Sequence, residues 1–171
     1  VVNGIAQSVG TPVTWSSTSM GHTNTNTVYD PSTGKVVIAY RDTNNSGYGT
    51  AIVGTVSGET ISFGTPVVFE AASSDIIATT FDSTNNKVVI AYRDRDNGNA
   101  GTAVVGTVSG TSISFGTATV FQTGQCTNIR AAFDSSQNRV VIAYLYTPSS
   151  QGRAVVGTVS GTSISFGTPV T

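Results

Sequence analysis

The groups best suited to chemistry in this sequence are its nine carboxylates, because the chain has only one histidine and one cysteine. Paired carboxylates can hydrolyse a glycosidic bond. Asp30, Asp82 and Asp134, however, share one position at the start of a turn, where an Asp side chain accepts hydrogen bonds from amides two residues on. His22 lies in a polar stretch and is expected to be solvated. We therefore predict no catalytic residue and a non-enzymatic protein.

A calcium loop is the second chemical candidate. In RDRDNGNAG (93–101), Asp94 and Asp96 alternate with asparagines, a spacing that resembles the oxygen ligands of calcium loops. The counterpart RDTNNSGYG (41–49) keeps one aspartate, and LYTPSSQG (145–152) has no carboxylate. A polar hairpin loop is the favoured interpretation, so no metal and no cofactor is predicted.

These residues are positioned by a sequence that repeats itself. AVVGTVSGTSISFGT stands at 103–117 and again at 154–168, and KVVIAYRD stands at 35–42 and at 87–94. Repeats of this length build stacked supersecondary units. We expect a single repeat domain over 1–171, divided into an extra strand (5–15), repeat 1 (24–69), repeat 2 (76–121) and repeat 3 (128–171).

Each repeat is expected to contain four strands. β-Branched and aromatic residues dominate, and Asp/Asn/Gly/Ser turns such as DSTNNK (82–87) separate the runs. VVIAY (88–92) is apolar on both faces, which is typical of a strand covered on both sides, whereas SISFGTATVF (112–121) is apolar on one face. The prediction is an all-β fold of three four-stranded antiparallel blades of β-propeller type, plus the extra N-terminal strand.

The string KVVIAYRD…GTAVVGTVSGTSISFG resembles repeat proteins of unknown function from marine phages and microbes. More loosely it is similar to kelch-type and sialidase-type (BNR) propeller repeats. The kelch double glycine and the sialidase Asp-box are both absent. The resemblance therefore implies a repeat fold and no particular active site.

Three blades are fewer than the four to eight of closed propellers. We expect a homo-oligomer or a part of a longer repeat array, because the end blades would otherwise leave apolar flanks uncovered. An architectural filament subunit is one alternative function. The flank residues expected to be uncovered are Val36, Ile38, Tyr40, Val140, Ile142 and Tyr144.

Composition excludes several partners. A net charge of −1 with eight scattered Lys and Arg residues provides no basic face for nucleic acid. No apolar run is long enough for a membrane span, and VVNGIAQSVG (1–10) lacks the basic and apolar segments of a signal peptide. Low charge and strands rich in Gly, Ser, Thr and Asn favour an extracellular or virion-surface location.

Binding is expected at the end of the repeats where the loops differ, which we call the variable end. It carries loops 93–101 and 122–128 with their counterparts, whereas turns 82–87 and 108–112 at the opposite end barely change between repeats. A glycan or a surface protein is the expected ligand, and a glycoside hydrolase or lyase using loop aspartates is the alternative. The candidate binding residues are Arg41, Asp42, Tyr48, Arg93, Asp94, Asp96 and Tyr146.

Overall fold

The structure is a computed structural model that describes residues 10–16 and 25–171. The described residues form an all-β fold, whose only helical element is the short 3₁₀ turn Thr147–Ser149. In this part of the chain there is no membrane-spanning helix. The all-β prediction is confirmed.

The described residues form thirteen strands. Repeat 1 contains β1 (Thr25–Asp30), β2 (Lys35–Asp42), β3 (Tyr48–Ser57) and β4 (Thr60–Phe63). The long β5 (Val67–Asp82) leads into repeat 2, which continues with β6 (Lys87–Asp94), β7 (Ala100–Ser109), β8 (Ser112–Phe115) and β9 (Thr119–Gln122). Repeat 3 contains β10 (Cys126–Asp134), β11 (Arg139–Tyr146), β12 (Gln151–Ser160) and β13 (Ser163–Phe166).

All strand pairs are antiparallel, and sequential strands are neighbours, as expected for meanders. Repeats 1 and 2 are nevertheless not separate sheets. Their strands form one nine-stranded sheet, because β5 pairs with β3 through its first half and with β6 through its second half. Repeat 3 forms a four-stranded sheet of its own. The sheets curl into half a barrel.

The outer strand of each repeat is interrupted by a short bulge, which the sequence pattern did not predict. In repeat 2 the strand breaks after Phe115, and Gly116 N–H donates to the Val105 carbonyl at 3.0 Å. Pairing with β7 then resumes in β9. Repeats 1 and 3 contain the same bulge at Gly64 and Gly167. The bulge turns the end of each outer strand toward the next repeat.

Aromatic contacts join one repeat to the next. Phe69, at the end of repeat 1, packs on Tyr92 of repeat 2 with ring centroids 5.2 Å apart, and Phe121 packs on Tyr144 of repeat 3 at the same distance. Trp15 makes the equivalent contact with Tyr40 at 4.7 Å. Trp15 is therefore a packing residue.

The expected N-terminal strand over 5–15 is not confirmed. Residues 5–9 lie outside the described residues, and 10–15 form no strand. The contact between Trp15 and Tyr40 nevertheless places this segment on repeat 1 where the outer strand of a preceding repeat would lie. The segment covers a surface without adding a strand to a sheet.

The prediction of the uncovered flank residues was wrong. Five of the six side chains are buried and Val36 is half-buried. On repeat 1, Trp15 packs against the cluster that contains Ile38 and Tyr40. On repeat 3, Val140 and Ile142 face repeat 2 and belong to its core. The error arose because these strands alternate, and the residues chosen point toward the preceding repeat.

Candidate functional site

The variable end is held together by backbone hydrogen bonds that recur from repeat to repeat. The linking segments are residues 70–75 and 122–127. Each donates a backbone amide to the hairpin loop of the preceding repeat, and one of its carbonyls accepts a backbone amide from the hairpin loop of the following repeat. The bonds are Ser74 N–H to Gly47 O, Arg95 N–H to Ser73 O, Cys126 N–H to Asn99 O, and Thr147 N–H to Gln125 O, all at 2.9–3.0 Å. Because these bonds use only main-chain groups, the loop side chains are free to differ.

Three of the seven candidate residues converge on Ser73 in the first linking segment. The Arg41 guanidinium donates to Ser73 Oγ at 3.2 Å, and the Ser73 amide donates to Asp96 Oδ2 at 2.9 Å. Tyr48 lies opposite Ser73 in the strand register. The structure thus brings Arg41, Tyr48 and Asp96 together.

Arg93 is part of a structural ion pair. Its guanidinium binds both carboxylate oxygens of Asp75 at 2.6 and 2.7 Å, and Arg95 reaches the same carboxylate at 3.3 Å. The hydrogen bond to Asp75 raises the pKa of Arg93, against the opposing effect of burial. Asp75 is buried, so this pair fixes the linking segment on β6.

Asp42 and Asp94 cap the loops that follow their own strands. The Asn44 amide donates to Asp42 Oδ1 at 3.0 Å, and the Asn97 amide donates to Asp94 Oδ1 at 3.2 Å. Such Asx turns stabilise the loop conformation. Both carboxylates already accept backbone hydrogen bonds, which gives them a structural role.

Tyr146 lies in a different group of side chains. The Arg153 guanidinium stacks over its ring, 4.1 Å from the centroid, in cation–π geometry. Arg153 also donates to Gln122 Oε1 at 3.1 Å, and the Tyr144 hydroxyl donates to the same oxygen at 2.8 Å. Tyr146 thus helps to hold repeat 3 against the end of repeat 2.

At the opposite end, three aspartates cap turns as predicted. Amides two residues on donate to Asp30, Asp82 and Asp134, each at 2.9 Å. For Asp134, the hydrogen bond from the Ser136 hydroxyl is the main cause of a lowered pKa. These carboxylates stabilise turns.

Cys126 and Ser74 occupy equivalent positions of repeats 3 and 2. Both are fully buried where a linking segment joins the sheet. Burial raises the pKa of the Cys126 thiol to about 11. The thiol is therefore protonated at neutral pH and is a packing group. The third equivalent residue, His22, lies outside the described residues.

The described residues contain no group of three or more His, Cys, Asp or Glu side chains placed to hold a metal ion. In the suspected calcium loop, Asp94 and Asp96 accept amides from two different segments. Their separate partners favour the polar-loop interpretation.

A cavity of about 360 Å³ opens where the first strand of each repeat begins, directly after the linking segments. We call it the inner-strand cavity, because β1, β5 and β10 each contribute two residues. A hydrogen bond of 2.6 Å from Thr79 Oγ1 to Asn26 Oδ1 joins the strands of repeats 1 and 2 beside it. The lining residues are Thr25, Asn26, Ile76, Ile77, Asn128 and Arg130.

Two equivalent lining residues have left-handed backbone conformations. Ile76 has φ +49° and Asn128 has φ +53°, each within an irregularity in strand register. This conformation is costly for a β-branched residue such as Ile76. It shapes the rim of the cavity in repeats 2 and 3 alike.

Arg130 gives the cavity a positive charge. Its side chain is exposed and donates at 2.7 Å to the carbonyl of its neighbour Ile129. Within the described part of the chain, ion pairs join arginines only to Asp75, so no described carboxylate neutralises Arg130. Asn26 and Asn128 add amide groups to the same lining.

A second depression, of about 740 Å³, lies between β9 and residues 168–171. Its charged residue, Arg153, already bonds to Gln122 and stacks on Tyr146. The inner-strand cavity is therefore the better candidate for a ligand site.

No protein-family model matches the sequence, and searches of curated proteins and of solved structures find no match either. The functional inference therefore rests on the geometry of the chain itself.

The lining residues of the cavity were not among the seven predicted site residues. One sequence signal pointed to them. Position 130 is arginine at the start of a first strand, where the equivalent positions hold Asn26 and Ala78. A single charged residue in one copy of a repeated strand is the signal that distinguishes this position from its counterparts.

Proposed function

We propose that the protein is a non-enzymatic binding module that holds an acidic glycan at the variable end, in the inner-strand cavity. The observation that carries the proposal is the convergence of all three repeats on one cavity with an unneutralised guanidinium. Amide groups suit sugar hydroxyls, and a guanidinium forms a bidentate pair with a carboxylate. Binding sites are typically such concave surfaces with a few convergent polar groups.

We also propose that the repeats are blades of a β-propeller, completed by further repeats. The support is the antiparallel order of strands within each repeat and the adjacency of β1, β5 and β10 around one cavity. An extracellular or virion-surface location is part of this proposal, supported by the low charge content of the chain.

The arrangement of acidic groups favours binding over hydrolysis. A glycosidase needs two carboxylates that face each other across the scissile bond. At the variable end, Asp75 pairs with Arg93, whereas Asp94 and Asp96 accept backbone amides. These partners hold the carboxylates in structural positions.

A glycan array with uronic acid-containing oligosaccharides and their neutral counterparts tests the proposal, followed by calorimetric titration of the strongest ligand. We expect preference for the acidic glycans and a loss of affinity of at least about tenfold in Arg130→Ala, the loss of one charge-assisted contact. Arg139→Ala is the matched control, because Arg139 is an exposed arginine at the start of β11, at the opposite end.

Equal binding by Arg130→Ala and the wild-type chain would overturn the assignment of the cavity. A broad glycosidase screen tests the alternative class. Turnover that Asp94→Asn abolishes would replace the binding proposal with a hydrolase.

A further inference from the structure

Repeat 3 exposes a surface that is buried in the other two repeats. Val156 is 48% exposed, whereas the equivalent Val53 and Val105 are fully buried. The residues around Val156 are also more exposed than their equivalents. Ala143 is exposed and Ala154 half-buried, although their equivalents in repeats 1 and 2 are completely buried. We call Val141, Ala143, Ala154 and Val156 the open face.

Within the chain, the surface equivalent to the open face always docks the next repeat. In repeat 2, Ala91, Ala103 and Val105 share one core with Val140 and Ile142 of repeat 3. In repeat 1, Ala51 and Val53 likewise share a core with Ile90 of repeat 2. This interface is therefore formed twice by nearly identical residues.

The outer-strand bulge adds a close backbone contact to each interface. A Cβ atom on Gly64 would overlap the carbonyl of Thr111 in repeat 2, and one on Gly116 would overlap that of Thr162 in repeat 3. At Gly167 the nearest atom to such a Cβ is Val156 O of the same repeat, 3.9 Å away. The position that a following hairpin would fill is open.

The complementary surface is present at the other end of the same chain. Repeat 1 carries the KVVIAYRD strand that docks in repeat 2, and Ile38, Tyr40 and Ile52 form a small cluster there. Residues 10–16 cover this cluster, since Trp15 packs on Tyr40 and Gly10 lies against the hairpin at Glu59.

We propose that the open face of repeat 3 docks repeat 1 of a second copy of this chain, head to tail. The argument is continuity with the internal interface, because one chain displays both of its halves. Docking requires residues 10–16 of the incoming copy to leave repeat 1, since the outer strand of repeat 3 takes the same place. Residues 10–15 can be displaced because they form no strand, whereas the equivalent segment of repeat 3 (167–171) is held to β12 by two hydrogen bonds between Val170 and Ala154, at 2.8 and 2.9 Å.

Sedimentation velocity over a range of micromolar concentrations tests the association. Val156→Glu places a charge on the open face and is expected to give a monomer. Val68→Glu is the matched control, because Val68 is 41% exposed on an outer strand, and it should associate like the wild type. Trp15→Ala weakens the competing segment and should strengthen association, with unchanged circular dichroism. A wild-type chain that stays monomeric, together with a monomeric Trp15→Ala variant, would overturn the proposal.

Mixing a tagged variant with wild-type chains tests the orientation in which two copies dock. A tagged Val156→Glu chain retains an intact repeat 1, so head-to-tail docking predicts that it captures one wild-type chain. In a two-fold dimer formed by two open faces, the tagged variant would capture none, and that result would contradict the proposal.

Discussion

Repeats 2 and 3 contain the same fifteen residues, AVVGTVSGTSISFGT, in two different environments. Val105 in the first copy is fully buried, and Val156 in the second is almost half exposed. Both valines lie at the same register position of the third strand of their repeat, opposite Val89 and Val141. The difference shows that burial at this position is determined by the neighbouring repeat and not by the strand itself.

In the linking segments, by contrast, the side chains differ between repeats while the backbone hydrogen bonds stay the same. Before repeat 2, Asp75 pairs with Arg93, whereas the equivalent positions in repeat 3 are Thr127 and Leu145. Backbone hydrogen bonds in the two linking segments are nevertheless the same. Side chains at the variable end can differ because the same main-chain hydrogen bonds form in both linking segments.

The largest expected difference is between Val105→Asp and Val156→Asp. At Val105 the carboxylate would be buried without a partner, and we expect a loss of at least about 4 kcal/mol in the free energy of unfolding. At Val156 we expect a change within about 0.5 kcal/mol. Urea denaturation of both variants measures this, and equal losses would show that the two environments are alike.

The next largest effect is expected when the ion pair between Asp75 and Arg93 is broken. Asp75→Ala leaves the largely buried Arg93 without its bidentate partner, and we expect a loss of about 3 kcal/mol. Thr127→Ala, at the equivalent position of repeat 3, should cost less than about 1 kcal/mol. Chemical denaturation compares the two, and a loss for Asp75→Ala as small as that for Thr127→Ala would show that the pair does not hold the segment.

The next comparison is between the bulge glycines of repeats 2 and 3, Gly116 and Gly167. Gly116→Ala introduces a Cβ atom that overlaps the Thr162 carbonyl, so the hairpin must shift, at a cost of about 2 kcal/mol. Gly167→Ala has open space and should change stability by less than about 0.5 kcal/mol. Thermal unfolding of the two variants tests this, and similar melting temperatures would contradict the close contact between repeats 2 and 3.

The last effect appears only at high pH. Burial raises the pKa of Cys126 from 9.0 to about 11 and that of Tyr144 from 10.0 to about 12. A folded pKa above the unfolded one gives stability that is complete below the unfolded value and is lost as pH rises through the folded value. We therefore expect unfolding to become easier between about pH 9 and 12. Cys126→Ser, which restores the serine of repeat 2, should reduce this slope, and a flat profile over the range would contradict the burial of both groups.

The sequence predicted the strands well because their periodicity is local. VVIAY at 88–92 lies within β6, and the Asp82 turn forms where expected. Two features depended on contacts between repeats and could not be predicted in this way. The continuous β5 arises because one strand pairs with two neighbours, and the open face is seen only in the packed structure, where Val156 is 48% exposed among the described residues.

The inner-strand cavity lies at the end where binding was predicted, but other residues line it. Arginines and aspartates in the loops were chosen for their charge, yet Arg93 pairs with Asp75 and Asp94 caps its own loop. The cavity residues Asn128 and Arg130 meet those of repeats 1 and 2 only after the repeats pack together. Their proximity is not present in any single repeat.

The central claim is that repeat 3 keeps open a surface built to receive another repeat, and thiol labelling tests it most directly. Val156→Cys and Val68→Cys, each in a Cys126→Ala background, are labelled with a soluble maleimide at low and high protein concentration. We predict rapid labelling of Val156→Cys in dilute solution and slower labelling as concentration rises, whereas Val68→Cys reacts equally at both. Protection of Val156→Cys in dilute solution, or a rate that does not depend on concentration, would contradict the account.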